Sequence, residues 1–304
     1  MKAIRVFLGL RIIFLTTAAS NAQDLTPRAY VITPTGSHAI ILSTSFNTGQ
    51  VLVDPTVPAD DVKGKFQLAL LGYYQSFDCF GRSGNITAVV PYLRGSFSGS
   101  VDGTPYRASR SGMADARIRF AVNLSGGAAM NSDQYLRWKE KRLIGASVTL
   151  AVPTGQYDSA RLANPGANRW GIKPEIGISR RWRQWVIDGY IGFWQFGKNT
   201  AFFPGHSVRT QKPVGVVEFH FGYYVRPRLW ISADANFWIG NRSIINGVSR
   251  QDQQRDSRAG ITASIPVTRN HAAKFSYSQG AYVTIGGAYR TATAGWQYSW
   301  TAPR

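Results

Sequence analysis

The chain has 304 residues, of which 35 are Lys or Arg and 16 are Asp or Glu, giving a formal net charge of +19. Its single cysteine, Cys79, excludes an intramolecular disulfide and a cysteine-rich metal site. Basic chains often bind nucleic acid, but these cations are scattered through turns and loops without a basic helix. We therefore expect lipid headgroup phosphates as partners, and no nucleic acid.

The first 22 residues resemble a secretory signal peptide. Lys2 and Arg5 form a basic start, an apolar stretch follows, and Ser20–Ala22 offers small residues for cleavage. Arg11 interrupts the apolar stretch, so a short amphipathic anchor is the alternative. We predict a signal peptide over 1–22 and one exported domain over 23–304. After residue 22 no segment reaches the ~20 apolar residues that a spanning helix needs.

Short segments of the exported part alternate between apolar and polar residues. In residues 229–240, for example, one set of alternate positions is apolar and the other holds Ser232, Asp234 and Asn236. A period of two predicts a β-strand with one apolar and one polar face. The predicted strands are Ala39–Phe46, Phe66–Phe77, Asn85–Arg94, Ala114–Leu124, Leu143–Val152, Gly171–Arg180, Trp185–Phe196, Val214–Tyr224, Leu229–Gly240, Arg258–Val267, Lys274–Gln279 and Ala292–Trp300.

The connectors between these strands are alternately long and short. Long polar connectors are expected over 47–65, 95–113, 153–170, 197–213 and 241–257, with tight turns between the other strands. The pattern predicts an all-β fold: a transmembrane antiparallel up-and-down β-barrel of about 12 strands, with long extracellular loops and short periplasmic turns. The exception is 125–142, where a helical turn over Asp133–Lys141 is expected. Three prolines within predicted strands argue against the assignment: Pro91, Pro174 and Pro266.

A charged side chain at the bilayer midplane costs ~2–4 kcal/mol for Arg or Lys, so charged strand positions should face inward. The candidates for lining the lumen are Asp115, Arg117, Arg119, Lys173, Glu175, Asp188, Glu218, His220, Asp234 and Arg258. These groups could pair with one another or line a conduit and set its selectivity. The nearly balanced signs favour mainly a network. The facing of the first two strands is left open.

Evidence for an enzyme is weak. His220 is the only histidine predicted inside the barrel, and no motif supplies a serine for it to activate. Paired His or Cys at metal-ligand spacing are missing from the sequence, as is a phosphate-binding glycine loop before a helix. We expect no enzyme activity, no metal and no cofactor. The enzymatic alternative is a barrel hydrolase acting on membrane lipids with His220 as base.

Several segments resemble a family of bacterial outer-membrane proteins named for the MetA pathway of phenol degradation, often described as transporters. The similar segments include residues 24–30 (Asp-Leu-Thr-Pro-Arg-Ala-Tyr), 153–158 (Pro-Thr-Gly-Gln-Tyr-Asp) and 164–170 (Asn-Pro-Gly-Ala-Asn-Arg-Trp). The resemblance covers nearly the whole exported part. It implies an outer-membrane barrel that passes hydrophobic or aromatic compounds, a substrate that the residues themselves do not show.

The expected location is the outer membrane of a Gram-negative bacterium, with passive uptake of small solutes as the function. A non-conducting adhesin or scaffold barrel is a further alternative. Expected partners are a small-molecule solute, outer-membrane lipid including lipopolysaccharide, and the barrel-assembly machinery, since the alternating Trp296, Tyr298 and Trp300 resemble the aromatic last strand that this machinery reads. Candidates in the external loop for surface or gating contacts are Tyr157, Arg161, Asn168, Arg169 and Trp170.

Overall fold

Antiparallel pairing closes twelve segments of the chain into one β-barrel. The structure is a computed structural model that describes residues 25–52, 59–101, 104–161, 163–203 and 205–301, so the predicted signal peptide lies outside the described residues. The elements are β1 (Ser37–Leu52), β2 (Ala59–Cys79), β3 (Arg82–Val101), β4 (Thr104–Met113), β5 (Ala116–Ser125), α1 (Ser132–Arg137), β6 (Arg142–Val152), β7 (Gly171–Trp182), β8 (Trp185–Phe196), β9 (Asn199–Phe202), β10 (Ser207–Gln211), β11 (Val214–Arg226), β12 (Leu229–Gly240), β13 (Ser243–Ile245), β14 (Val248–Ser249), β15 (Gln254–Pro266), β16 (His271–Tyr282) and β17 (Gly286–Thr301).

The barrel order is β1-β2-β3-β5-β6-β7-β8-β11-β12-β15-β16-β17, and β1 pairs with β17 along its whole length to close it. β4 continues the line of β5 beyond Ala114 and Asp115: β5 pairs with the first half of β3 and β4 with the second half. The predicted twelve-stranded antiparallel barrel is therefore confirmed. No helix in the described part of the chain is long and apolar enough to cross a membrane.

The predicted strands exist, but several predicted loops are wrong. Residues 95–113 form the outer parts of β3 and β4, and β1 and β2 extend far into the connector expected over 47–65. The connectors 197–213 and 241–257 contain β9, β10, β13 and β14, which form a separate four-stranded sheet. These extensions carry polar residues on both faces, so they lack the apolar alternation that identifies a membrane strand.

The short helix α1 lies in the connector between β5 and β6. A helical turn was expected over Asp133–Lys141, whereas α1 spans Ser132–Arg137. Asn131 starts the helix because its side chain accepts from the Gln134 backbone N–H, while the Gln134 side chain accepts from the Asn131 backbone N–H. Trp138 has an extended backbone and ends it. The second half of the expected turn is therefore not helical.

The three prolines occupy points where the sheet can spare a hydrogen bond. Pro91 lies in β3 between the stretch paired with β5 and the stretch paired with β4. Pro174 lies in β7 at a gap in its pairing with β8, and Pro266 is the last residue of β15. A missing N–H is tolerated at such breaks and strand ends, so these residues are compatible with the barrel.

Apolar side chains cover the outside of the barrel and charged ones lie within. The outward Ile187, Ile191 and Ile261 are 57%, 62% and 63% exposed, whereas the inward Asp188 and Glu218 are each 1% exposed. A water-soluble fold buries its large aliphatic residues and exposes its charges. The opposite distribution is that of a barrel whose outer surface faces hydrocarbon.

The facing of β1 and β2, which the sequence left open, is explained by an apolar inner wall. Ile41, Phe66, Leu68 and Leu70 point into the barrel and are buried, and Leu93 of β3 packs against Phe66 and Leu68. Outward neighbours on the same strands are also apolar, among them Leu42 and Leu71. Apolar residues on both faces weaken the period-two signal that identifies an inward side.

We predict that Phe219→Arg, in the middle of β11 on the outer face, destabilises the barrel in a bilayer by about 2–4 kcal/mol. The guanidinium would replace a ring that is 53% exposed to the surrounding hydrocarbon. Equilibrium unfolding by denaturant in lipid vesicles measures the cost.

The matched control is Val248→Arg in β14, which is 59% exposed in the external sheet and should cost little because it faces water. Equal stabilities for the two variants would contradict the membrane orientation.

Candidate functional site in the barrel lumen

The structure places all ten predicted lumen residues on the inner side of the barrel. Nine are buried, and Asp115 is half-buried at the junction of β4 and β5. Asp115 comes from the junction of β4 and β5, and the other nine come from six strands: β5, β7, β8, β11, β12 and β15. The lining is therefore charged from β5 to β16, where Lys274 is also buried. On the β1–β3 side it is uncharged, with apolar residues such as Leu68 beside small polar ones such as Ser45 and Thr87.

Six of these residues form a continuous charge network. Glu175 lies 3.9 Å from Arg119 and 2.8 Å from Lys173, measured between nitrogen and oxygen. Lys173 is 3.8 Å from Glu218, and His220 joins Glu218 (3.4 Å) to Asp234 (2.8 Å). Alternating signs allow these buried groups to compensate one another, which an isolated buried charge could not achieve.

The remaining predicted residues have other environments. The Arg117 guanidinium lies 5.9 Å from the centre of the Trp194 ring, and Arg258 donates to Ser278 (3.0 Å) and Thr291. Asp115 accepts backbone N–H bonds from Gly155 (3.0 Å) and Ala167 (2.8 Å) in the loop 153–170. Asp115 therefore anchors an external loop rather than joining the network.

The N-terminal residues 25–36, here called the lumen segment, lie inside the barrel. Thr26 donates to Glu218 from its backbone (3.2 Å) and its hydroxyl (2.9 Å). Arg28 forms an ion pair with Asp188 (3.1 Å) and a second with Glu140, and it donates to Ser179 (2.7 Å). Arg28 is 3% exposed, so the segment contributes a buried cation to the lumen.

Tyr30 fixes the middle of the lumen segment against β6 and β7. Its hydroxyl lies 3.0 Å from Ser147 and donates to Glu175 at 3.0 Å, while Arg119 lies 4.8 Å from its ring centre. A β-carbon at Gly145 or Gly177 would come within 2.2 Å of this ring. Glycine at both inward positions therefore makes the space that Tyr30 occupies.

The lumen segment contacts both sides of the lining: Thr26 donates to Glu218 of β11, and the Thr33 hydroxyl lies 2.8 Å from that of Tyr74 of β2. A cavity of about 40 Å³ lies beside Leu25, between Leu68 and Leu70 of β2 and Arg258 of β15. A space of this size holds only a few water molecules. The lumen segment thus lies between the charged side of the lining and the side formed by β1–β3.

Sequence reasoning missed the lumen segment as part of the site. Its apolar and polar residues have no strand period, and a single Arg among small residues does not indicate burial. The available signal was the segment 24–30, which contributes to the family resemblance although it precedes the first strand.

The external loop candidates form a hydrogen-bonded cap with the small sheet. Tyr157 donates to the Ala201 carbonyl (3.1 Å), and Asn168 donates to Asn199 (3.1 Å). Arg169 donates to Gln211 and stacks over Phe196, while burial and then the nearby Arg209 guanidinium lower the pKa of Arg169.

Two of the loop candidates lie on the outside of the cap. Arg161 pairs with Asp158 at 2.8 Å in an exposed ion pair, and Trp170 is 57% exposed at the start of β7. Arg161 therefore remains accessible from outside the cell, whereas Arg169 is directed into the cap.

The environment of His220 does not resemble a nucleophile-activating site. Its Nδ1 contacts Asp234 and its Nε2 faces Glu218, so carboxylates occupy both ring nitrogens. Ser232 donates to Asp234 at 2.8 Å rather than to the histidine. Within the described ranges, no group of three His, Cys, Asp or Glu side chains could hold a metal ion.

This combination of fold and lining defines a transmembrane β-barrel of the outer-membrane type with an occupied lumen. The family described as "Putative MetA-pathway of phenol degradation" matches residues 43–300. The chain belongs to this family. No curated protein sequence matches the chain significantly.

Solved structures with the same architecture include an outer membrane channel from Pseudomonas putida F1, with a TM-score of 0.76, 17% identity, and coverage of 90% of this chain and 99% of that one. The transport unit of the autotransporter AIDA-I from Escherichia coli has a TM-score of 0.51 and 9% identity, with 87% of this chain and 90% of that one covered. The monoaromatic hydrocarbon channel CymD has a TM-score of 0.45 and 8% identity, with 89% of this chain and 90% of that one covered. At these identities the similarity concerns the fold.

We predict that Arg28→Met loosens the lumen segment, because it leaves Glu140 and Asp188 buried without this cation. Breaking a buried pair in this way costs about 3–5 kcal/mol, which corresponds to a hundredfold or greater loss of protection against amide exchange. Hydrogen–deuterium exchange followed by mass spectrometry over residues 25–36 measures it.

Arg161→Met removes an exposed pair instead and should leave the exchange of residues 25–36 unchanged. Unaltered protection in Arg28→Met would show that Arg28 does not hold the segment.

Proposed function

We propose that the protein is a channel of the bacterial outer membrane that admits small apolar or aromatic solutes by passive diffusion. The observation that carries this proposal is the apolar inner wall, where Ile41, Phe66, Leu68 and Leu93 face the lumen. A conduit for ions alone has no need of such a wall, since apolar linings raise the energy of hydrated ions. The family description, which refers to phenol degradation, supports the same substrate class.

The lumen segment supplies the constriction of this channel. It is held by polar bonds to the charged side, and its Leu25 approaches the apolar side. A twelve-stranded barrel is well below the 16–18 strands of open porins, so even modest occupancy closes it to bulky solutes. A solute could therefore pass only where the segment shifts away from the apolar wall.

Alternative functions receive less support. A lipid hydrolase would need a serine close to His220, but both histidine nitrogens face carboxylates in the closed interior. A scaffold or adhesin barrel would not need a lining divided into charged and apolar sides, although its outer surface could look the same. Single-channel recording separates a scaffold from a channel.

We predict that Arg117→Gln combined with Arg119→Gln shifts the ion selectivity of the residual conductance toward cations. The two buried guanidiniums project inward from adjacent inward positions of β5, and removing them makes the lining more negative. Reversal potentials in planar bilayers under a salt gradient measure the shift.

The control for this pair is Arg161→Gln combined with Arg250→Gln in the external loops, which should leave the reversal potential unchanged. A reversal potential identical to that of the wild type in the Arg117 and Arg119 variant would reject a conducting role for the charged side.

We predict that Leu68→Asn combined with Leu93→Asn reduces the entry of phenol into proteoliposomes by about tenfold, because a polar wall loses the favourable contact with an apolar solute. Ion conductance should change much less. Uptake of radiolabelled phenol against empty vesicles provides the measurement.

Thr149→Asn on the charged side is the matched control, since it is also buried and inward but already polar. If the leucine variant and this control take up phenol equally, the apolar wall does not carry the solute.

A further inference from the structure

Five cations form a patch on the outer surface of the barrel near its extracellular end. This cation patch consists of Lys63, Lys65, Arg94, Arg107 and Arg290, all exposed and on outward positions of β2, β3, β4 and β17. By strand register, Thr48 is flanked by Arg290 and Lys65, and Ser98 is flanked by Lys63 and Arg107. Strands spaced ~4.8 Å apart put the backbones of each flanking pair about 10 Å from one another.

The patch lies at the height where hydrocarbon gives way to headgroups. Tyr73, which contacts His38 (2.7 Å) beside Trp300, belongs to the aromatic group at the periplasmic interface. Lys65 lies eight residues from Tyr73 toward the extracellular end of β2, or ~26 Å along the strand. Because such strands tilt by about 40° from the membrane normal, this corresponds to about 20 Å of height across the membrane. The apolar band of such barrels is ~25 Å tall, so Lys65 lies near its outer edge.

Among the described residues, no acidic side chain forms an ion pair with the five cations, although Asp61 lies two residues from Lys63 near the start of β2. The outward residues between them are uncharged: Gln50, Thr48, Gln67, Ser96, Ser98, Ser109 and Ser111. Farther around the barrel, the outward residue near the outer end of β12 is Ile239, which is apolar and 51% exposed, and its register partner Arg255 of β15 is a single exposed cation. Like charges at this spacing repel unless an anion lies between them.

An apolar groove continues from the patch into the membrane. The patch borders a surface depression of about 980 Å³, and a second depression of about 920 Å³ descends across β16, β15 and β12. The two depressions share Phe46, Tyr277 and Ala292. Alanines at outward positions create the second one, with Ala263 and Ala294 on its floor. A phosphate site above an apolar groove matches the shape of a lipid.

We propose that the cation patch and the apolar groove together bind lipopolysaccharide in the outer leaflet through its lipid A moiety. Lipid A carries phosphates at both ends of a disaccharide, so pairs of cations flanking Thr48 and Ser98 can each meet anionic oxygens, with Arg94 closer to the acyl chains. Arg forms bidentate bonds with phosphate, and Lys acts as a point charge. This inference rests on the proposed outer-membrane location, but it is independent of conduction.

The test compares the full-length protein with Lys65→Gln/Arg94→Gln/Arg290→Gln, using native mass spectrometry in detergent with phosphorylated lipid A as the probe. We expect binding to weaken by about tenfold to a hundredfold, since each cation near an anionic surface contributes appreciably. The control, Lys198→Gln/Lys212→Gln/Arg242→Gln, removes the same charge from exposed positions on the cap and should bind as the wild type does. Heat-modifiable gel mobility confirms that each variant is folded.

Two further ligands identify the source of the phosphate. Dephosphorylated lipid A should bind the wild type as weakly as phosphorylated lipid A binds the triple variant, and phosphatidylglycerol should bind equally weakly. The inference is overturned if the two triple variants lose affinity equally, if removing the phosphates has no effect, or if phosphatidylglycerol binds as well as lipid A.

Conductance of the same preparations separates this inference from the proposed function. A triple variant that conducts normally but binds lipid A poorly supports the lipid site. A wild type that binds lipid A without conducting or admitting phenol would reject the channel and leave the lipid site standing.

Discussion

The constraint on which the structure depends is the absence of water in the hydrocarbon layer. Every backbone N–H and C=O that enters it must be bonded within the protein, and an open sheet edge would leave a row of them unpaired. The pairing of β1 with β17 from Ser37 to Leu52 removes that edge. Once the sheet closes on itself, the residue alternation forces each strand to present one side to lipid and the other to an enclosed space.

The enclosed space then has its own electrostatic problem. The ten charged or ionisable residues that were predicted to face inward lie inside the barrel. Water is scarce there, and an isolated buried charge is unfavourable. The network through Glu175, Glu218 and His220 balances most of them. Asp188 faces this interior as well, and its cation is Arg28 of the lumen segment rather than a neighbour in the wall. The wall and the segment thus complete one another.

The sequence was sufficient for the barrel because its signal repeats along every strand. It also identified the inward charged residues, since a carboxylate on a strand in lipid has only one tolerable side. The sequence did not predict the segments that lack the apolar–polar alternation of a membrane strand. The outer parts of β3 and β4 stand in water and carry no apolar face. Residues 25–36 gain their structure from contacts with strands distant in the sequence, as in Arg28 with Asp188 and Thr33 with Tyr74.

Gly36, the last residue of the lumen segment, is followed directly by Ser37, the first residue of β1 at the periplasmic rim. Because the lumen segment is attached to β1 at the periplasmic rim, the chain prevents it from leaving through the extracellular mouth. Withdrawal into the periplasm is the direction that the connectivity leaves open. Any displacement of the lumen segment is therefore controlled from the periplasm and not from outside the cell.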